Sequence, residues 1–418
     1  MEPREVLVVG GGAAGLIAAK EAAELGAKVT LLEKNDRLGM KILISGGGKC
    51  NLTHAGNMEE LRATFRPNEA RFLKPSFYKY SNDDFLAILH SAGMETYVRP
   101  DGRVFPVEPG NAKDVVAILE AAVRNVGVAV RLNSPVTGLI RERDQIVGVR
   151  TAERIWQADR VVVAVGGSSY PATGTTGDGW RWVSEIGHKV VPLRAALAPL
   201  HMEQVQPDWS GVALRDIQLK ACRQEQGKAY IRWDGDLLFT HRGVSGPCAL
   251  GISREISEQM ALGIRGGGVV EVDLAPDLSQ EELLLKLKAE LSDNPRKTVG
   301  SIAERFLPAR LAPHFIESAG IEASTRGAHL PAKALNRFVS HLKGWSLGGV
   351  KSVPLERGEV VAGGVHLDEV NSQTMESRIV KGLFLCGEIL DIAGPVGGYN
   401  QQAAWSTGYV AGQEASSP

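Results

Sequence analysis

Near its start the chain runs through Val6, Leu7, Val8 and Val9 straight into Gly10-x-Gly12-x-x-Gly15, and then into an alanine-rich stretch. No other feature restricts the fold as strongly. A short, wholly apolar run is what a strand buried on both faces of a parallel sheet requires. Gly10 permits a tight turn, Gly12 lets the backbone approach a pyrophosphate, and Gly15 lets the next helix pack closely. The phosphate charge then rests against the helix N-terminus. The pattern predicts a helix over residues 14–25 and a second strand over 28–32. Glu33 ends that strand, 21 residues beyond Gly12. There its carboxylate accepts from a ribose hydroxyl and repels a 2′-phosphate, which leaves FAD or NAD as the ligand.

The chain holds 48 glycines, and they cluster. Ser45-Gly46-Gly47-Gly48-Lys49-Cys50-Asn51 follows an apolar run, and three successive glycines let main-chain N–H groups converge on a ligand. Cys50 reads either as a small packing residue or as a thiol beside a flavin. A second buried strand, residues 160–165, passes through Ala164 and ends in Gly166-Gly167, at the carboxyl edge where such sheets bind ligands. A third, residues 382–386, delivers Gly387 and Glu388, a carboxylate suited to a ribityl or ribose hydroxyl. Gly397-Gly398-Tyr399-Asn400-Gln401-Gln402 then opens a last helix over 400–413, whose dipole favours the negative charge of a reduced flavin.

Helices over 83–92 and 113–126 and strands over 128–132, 137–141 and 146–151 extend this into an open α/β sheet with an antiparallel meander near its middle. The texture changes near Pro192. Short β-like runs follow (218–223, 229–233, 269–274), and residues 279–320 read as helical, with Ser279 and Glu282 forming a capping box. The resulting division is a nucleotide-binding domain over 1–191 and 356–418. It is interrupted by an insertion over 192–355, a β-barrel at about 192–275 and 325–355 with a helical part at about 276–324.

These segments, with Leu238-Phe-Thr-His241-Arg242-Gly-Val-Ser-Gly-Pro247 and the tail from Thr374-Met-Glu-Ser377 to Gln402, make the sequence similar to the HI0933-like (BaiN-like) FAD-dependent oxidoreductases. The similarity covers about residues 5–412. It implies an α/β fold: a glutathione-reductase-type, Rossmann-like FAD domain with an inserted β-barrel that carries a small helical subdomain. By the same resemblance Gly10, Gly12, Ala13, Ala14 and Gly15 hold the pyrophosphate and Glu33 the adenosine ribose, and Lys34 beside it is a further cofactor-binding residue. Lys41, Ser45, Gly46, Gly47, Gly48, Cys50 and Asn51 line the flavin side. Val136 lies by the adenine, and Ala164, Gly166 and Gly167 by the nucleotide. Gly387 and Glu388 hold the ribityl chain, and Gly398, Tyr399, Asn400 and Gln401 the flavin ring. The family often places Arg where Met40 and Lys49 stand here, and neither reproduces Arg's bidentate fork.

No acid–base pair declares itself. Tyr399 reads as a proton donor or as a ring stacked near the flavin, and His241 and Arg242 as groups facing the flavin or as a domain contact. Patterns for nucleophilic or metal catalysis are absent. A formal charge of -1 without basic runs offers no bulk attraction to nucleic acid. No apolar run reaches a membrane span, and four scattered cysteines form neither zinc spacing nor a disulfide framework. The expectation is a cytoplasmic flavoprotein without nucleic-acid or membrane partners. It reduces an activated C=C bond of a small apolar substrate, with NADH or NADPH as transient donor. Alternatives are an oxidase of a small amine, an FAD-containing RNA-modifying protein, and a flavin redox sensor without turnover.

Overall fold

The computed structural model describes residues 3–417 apart from 226, 265 and 266, and residue 328 by its backbone alone. The chain forms two compact units. One runs to Leu193 and resumes at Glu359; the other is Arg194–Gly358.

The first unit is built on a five-stranded parallel sheet in the order Leu383–Leu385, Arg160–Val163, Glu5–Val9, Lys28–Leu32, Ala129–Arg131. Val9 pairs with both Leu32 and Val163, and Val163 with Leu385. This register brings Gly10, Glu33, Ala164 and Cys386 to one edge. The helix Ala13–Glu24 follows the first strand, and a Cβ on Gly15 would collide with the Gly10 carbonyl. The last helix, Tyr399–Ser416, crosses it at backbone contact. Gly408 and Gly412 lie over the carbonyls of Ala14 and Ala18, where any side chain would force the helices apart.

The meander (Val136–Glu142, Gln145–Thr151, Ile155–Gln157) is a separate antiparallel sheet and not a middle portion of the parallel one. Its outer strands are largely exposed or half-buried, whereas four of the five strands of the parallel sheet are mostly buried. A third small sheet joins Thr53–His54, Arg103–Pro106 and Thr96–Val98. The helices Met58–Ala63, Asn82–Ser91 and Ala112–Asn125 each begin with a capping box, from Asn57, Ser81 and Asn111.

The second unit is a closed six-stranded barrel in the order Leu200–Met202, Gly243–Ser245, Ala229–Thr240, Ala213–Cys222, Val269–Asp273, Trp345–Ser352. Ser279 and Glu282 make the expected capping box ahead of Gln280–Asp293. Two segments read as barrel texture are helices: Pro247–Ala261 and Ala332–Lys343. Pro247 takes a first-turn position, where its missing N–H costs nothing. Ala249, Ile252 and Ile256 then bury one helical face in the barrel core. The surrounding glycines hide that spacing in the sequence.

Candidate active site

The candidate site lies wholly in the first unit, and Gly10, Glu33, Ala164 and Glu388 gather at the carboxyl edge of its parallel sheet. Gly10 takes φ +101, and its place beside the Ala164 carbonyl leaves no room for a Cβ. Gly12 caps the first helix with no side-chain bond, and no acidic residue stands in that helix's first turn. A Cβ on Gly12 would point into open space. The main-chain N–H groups of Ala13 and Ala14 therefore sit in an uncapped first turn, suited to a phosphate.

Glu33 is buried, and its Oε2 accepts from the Gly11 N–H at 2.7 Å. Oε1 accepts from the Asn35 backbone and side-chain amides at 2.8 and 2.7 Å. The carboxylate thus braces the glycine turn in addition to facing the nucleotide edge. Lys34 is engaged elsewhere, donating to Thr176 at 2.7 Å and Asp178 at 3.0 Å. The Ser134 N–H donates to the Glu33 carbonyl at 2.8 Å, which brings the start of Val136–Glu142 close to that strand end.

Glu388 follows the outermost strand of the sheet, Leu383–Leu385. Its Oε2 accepts from Lys41 Nζ at 2.6 Å, and Oε1 from the Val361 N–H at 3.0 Å. Lys41 also donates to Ser169 Oγ at 2.8 Å. A Cβ on Gly167 would stand 2.9 Å from the Glu388 carboxylate and displace it. Gly166, with φ +72, opens toward the same carboxylate, and the Gly387 N–H is held by Thr407 Oγ1 at 3.0 Å. The pair Lys41–Glu388 spans 347 positions of sequence.

The loop after residue 44 curls because Gly46, Gly47 and Gly48 all take positive φ, and so does Cys50, at 63. Ser45 Oγ donates to the Ile42 carbonyl, and Gly46 backs onto Phe105. A Cβ on Gly47, as on Gly12, would meet nothing within 4 Å. The Cys50 thiol is wholly buried, and burial pushes its pKa up to about 11. That environment favours the packing reading of this residue, since a thiol nucleophile needs the opposite one.

Beyond the loop, Asn51, with its amide oriented to satisfy both partners, accepts from the Gly398 N–H at 2.9 Å and donates to the Thr53 carbonyl at 3.1 Å. Thr53 bonds Gln402 at 2.7 Å. These ties seat the start of the last helix, where Gly398 is an N-cap with no side-chain bond and no acid follows in the first turn. Asn400 uses its amide to hold Gly394 and Pro395, closing the loop before the helix. Gln401 is half-buried one position further on. Tyr399 is half-buried, and burial raises its hydroxyl pKa.

His54 is a site residue that sequence reasoning missed. Its ring stacks on Tyr399 with centroids 4.5 Å apart, and its two nitrogens face the carbonyls of Ala55 at 2.7 Å and Asp101 at 3.1 Å. The available signal was its place on the short strand directly after the glycine loop. His241 and Arg242 belong to the second unit, exposed at the turn between two barrel strands.

Two open glycine cradles, two helix starts without caps, and a carboxylate at each of two strand ends fit a dinucleotide laid along the edge. A family model, the HI0933-like protein Rossmann domain, matches residues 4–414. The chain belongs to that family. Members are FAD-dependent oxidoreductases, and this HI0933-like chain carries the FAD-binding Rossmann unit and a closed barrel. Three relatives align over nearly their full lengths. A "Ribosomal RNA dihydrouridine synthase" of Haemophilus influenzae is 32% identical over 97% of both chains. The protein of that name from Escherichia coli is 28% identical over 99% of this chain and 98% of its own. A "3-dehydro-bile acid delta(4,6)-reductase" of Clostridium scindens is 30% identical over 98% of each. Among solved structures, 3-ketosteroid delta1-dehydrogenase of Sterolibacterium denitrificans superposes with a TM-score of 0.54 at 13% identity, covering both chains completely, a likeness of fold. No helix among the described residues is long and apolar enough to cross a membrane.

Proposed function

We propose that this HI0933-like protein reduces a carbon–carbon double bond conjugated to a carbonyl, and that the bond belongs to a uracil base of ribosomal RNA. The observation that carries the reading is the start of the last helix. There an uncapped N-terminus and a half-buried tyrosine, stacked on His54, stand together. FAD, once reduced by NADH or NADPH, would supply the hydride for the carbon β to the carbonyl. The chain must then stabilise negative charge and deliver one proton to the α carbon. The helix N-terminus meets the first need. Tyr399 meets the second, since a phenol carries its proton at neutral pH and this one stands half-buried at the start of the helix. Gly10, Gly12, Ala13, Ala14 and Gly15 hold the pyrophosphate, Glu33 the ribose, and Glu388, aligned by Lys41, the ribityl chain.

The names of all three relatives fit this chemistry, and the two that specify ribosomal RNA favour uracil. The expectation of no nucleic-acid partner follows from a whole-chain charge of -1 and the lack of basic runs, neither of which reports a local patch formed by the fold. A steroid-like enone, the small apolar substrate expected from sequence, is the second reading, favoured by the Clostridium relative. NADH or NADPH serves as donor in either case.

The test is anaerobic. Flavin reduced with NADH, then NADPH, is mixed with ribosomal RNA from a strain lacking the protein. Reoxidation of the flavin, with a gain of two hydrogens on a uridine by mass spectrometry, is the expected result. Reoxidation by a 3-oxo-Δ4 steroid and not by RNA selects the second reading, and reoxidation by oxygen alone sinks both. Tyr399→Phe should slow the reoxidation by RNA about 100-fold or more while FAD stays bound, the usual worth of a general acid. An unchanged rate removes Tyr399 from the mechanism.

A further inference from the structure

We propose that the outward face of the helix Pro67–Lys79, made by Arg71, Lys74 and Tyr78, docks a single-stranded segment of RNA. The proposal rests on the ribosomal RNA reading above. The helix is amphipathic: Ala70, Phe72, Leu73, Ser76 and Phe77 are buried on its inner side. Positions 71, 74 and 78 stand three and four apart, so their side chains share one face. All three are exposed, and Tyr78, at 92%, is the most exposed large apolar side chain among the described residues.

The charge on that face is one-sided. Neither Arg71 nor Lys74 has an ion-pair partner among the described residues, while Lys79, at the end of the helix, is tied to Glu414 at 2.9 Å. The helix's own carboxylate, Glu69, is 1% exposed and turned inward. An ordinary solvated helix mixes its signs, as Gln280–Asp293 does with Glu281, Glu282, Lys286, Lys288 and Glu290. Two unpaired cations beside a bare aromatic ring suit a strand that offers phosphates and bases together. The cations displace condensed counterions, and the ring stacks on a base of any identity. Arg71 and Tyr78 lie about 10 Å apart along the axis at 1.5 Å per residue, within reach of one short strand.

The face is also coupled rigidly to the candidate active site. Phe77, on the inner side, packs edge-on against Phe65 at 5.9 Å, and Phe65 packs edge-on against Tyr399 at 6.4 Å. RNA held on the outer face is therefore held relative to the element that carries the proposed proton donor.

The test uses the FAD-loaded full chain and a fluorescein-labelled, uridine-rich single-stranded RNA, with anisotropy read from 50 to 200 mM KCl. Tyr78→Ala should weaken binding about 5- to 150-fold, the worth of one stacked base, and Tyr78→Phe should restore it. The double variant Arg71→Ala/Lys74→Ala should flatten the slope of log affinity against log salt by about 1.4, two phosphate contacts on a single strand. Lys286→Ala, an equally exposed lysine of the other unit, should change nothing. All four side chains point to solvent, so melting temperatures should match the wild type. Wild-type affinity and slope in the Tyr78 and Arg71/Lys74 variants, from a chain that still reduces uridine in ribosomal RNA, would overturn the surface and leave the function standing. A wild-type chain that neither binds the RNA nor reduces uridine overturns both. Displacement of the RNA by poly-glutamate without loss in Tyr78→Ala overturns the proposal in favour of an acidic protein partner.

Discussion

Two regions of the first unit make opposite use of similar chemistry. In one corner His188 faces Glu369 through Nδ1 at 3.1 Å and Ser377 Oγ through Nε2 at 2.8 Å. By residue type and distance this is the serine–histidine–carboxylate set of a hydrolase. Yet Ser377 Oγ also accepts from the N–H groups of Ile379 at 3.0 Å and Val380 at 2.9 Å. Glu369 accepts from the Lys189 N–H at 2.8 Å, and the His188 side chain is wholly buried. Each of the three groups is satisfied by the chain itself. At the carboxyl edge of the sheet no such set exists. There the helices after Gly12 and Gly398 begin without a side-chain cap, and Gly12 and Gly47 border open space. Reactivity follows from what a fold leaves unsatisfied, and residue identity alone would point to the closed corner.

The sharpest way to break this comparison is to satisfy the open edge. Gly12 has an ordinary extended backbone, φ -86 and ψ -166, and room for a side chain. Gly12→Asp therefore gives the first helix the side-chain cap it lacks, which should hold apo stability or raise it by a few tenths of a kcal/mol. The same carboxylate meets a pyrophosphate at close range. Two like charges 4 Å apart repel by about 4 kcal/mol at an effective dielectric of about 20, so FAD affinity should fall by two to three orders of magnitude. Thermal melting of the apo protein reads the first effect, and calorimetric titration with FAD the second. A folded variant that binds FAD as tightly as the wild type would mean that this edge is not the pyrophosphate site.

The converse perturbation goes into the closed corner. Ser377→Ala removes the acceptor of two N–H groups and a partner of a buried imidazole, at a cost of about 1–3 kcal/mol of stability. Flavin content and the rate of flavin reoxidation by substrate should stay at wild-type values. Loss of turnover at unchanged flavin content would make the corner catalytic and reverse the assignment.

What was legible in the sequence follows the same division. The glycine turn, Glu33 and the first helix were readable because each depends on neighbours a few positions away, and a strand, a tight turn and a helix N-terminus leave little choice of residue. Tyr399 was readable from the Gly397-Gly398 pair before it. The Lys41–Glu388 pair joins residues 347 positions apart, and no local pattern in either segment announces the other. His54 acquires meaning only when the glycine loop and the last helix are brought together. The helix Pro67–Lys79 was missed because Pro75 interrupts it and its outer face is cationic. Pro247–Ala261 and Ala332–Lys343 were read as barrel because glycine-rich neighbours set the texture of the window.

The smallest effect concerns protonation of the closed corner. Burial lowers the pKa of His188, partly opposed by Glu369 and reinforced by the nearby Arg141. The folded state therefore prefers the neutral imidazole more than the unfolded chain does. The associated stability is complete above the unfolded value of about 6.5 and is lost as pH falls through the lower, folded value. Ser377, which faces Nε2, does not titrate in this range, so the change belongs to the histidine and its carboxylate partner. Melting curves at pH 8, 7, 6 and 5 should show the wild type losing ground below 6.5. His188→Gln should start lower at pH 8, because the amide cannot reproduce both contacts, and should then follow a flatter profile. His341 in the other unit, also shifted down by burial, is unchanged by the substitution, so the difference between the two profiles isolates His188. Parallel profiles would show that the corner binds no proton on acidification. The closed region would then be insulated from solvent even more completely than its hydrogen bonds imply, and acid sensitivity would have to come from elsewhere in the chain.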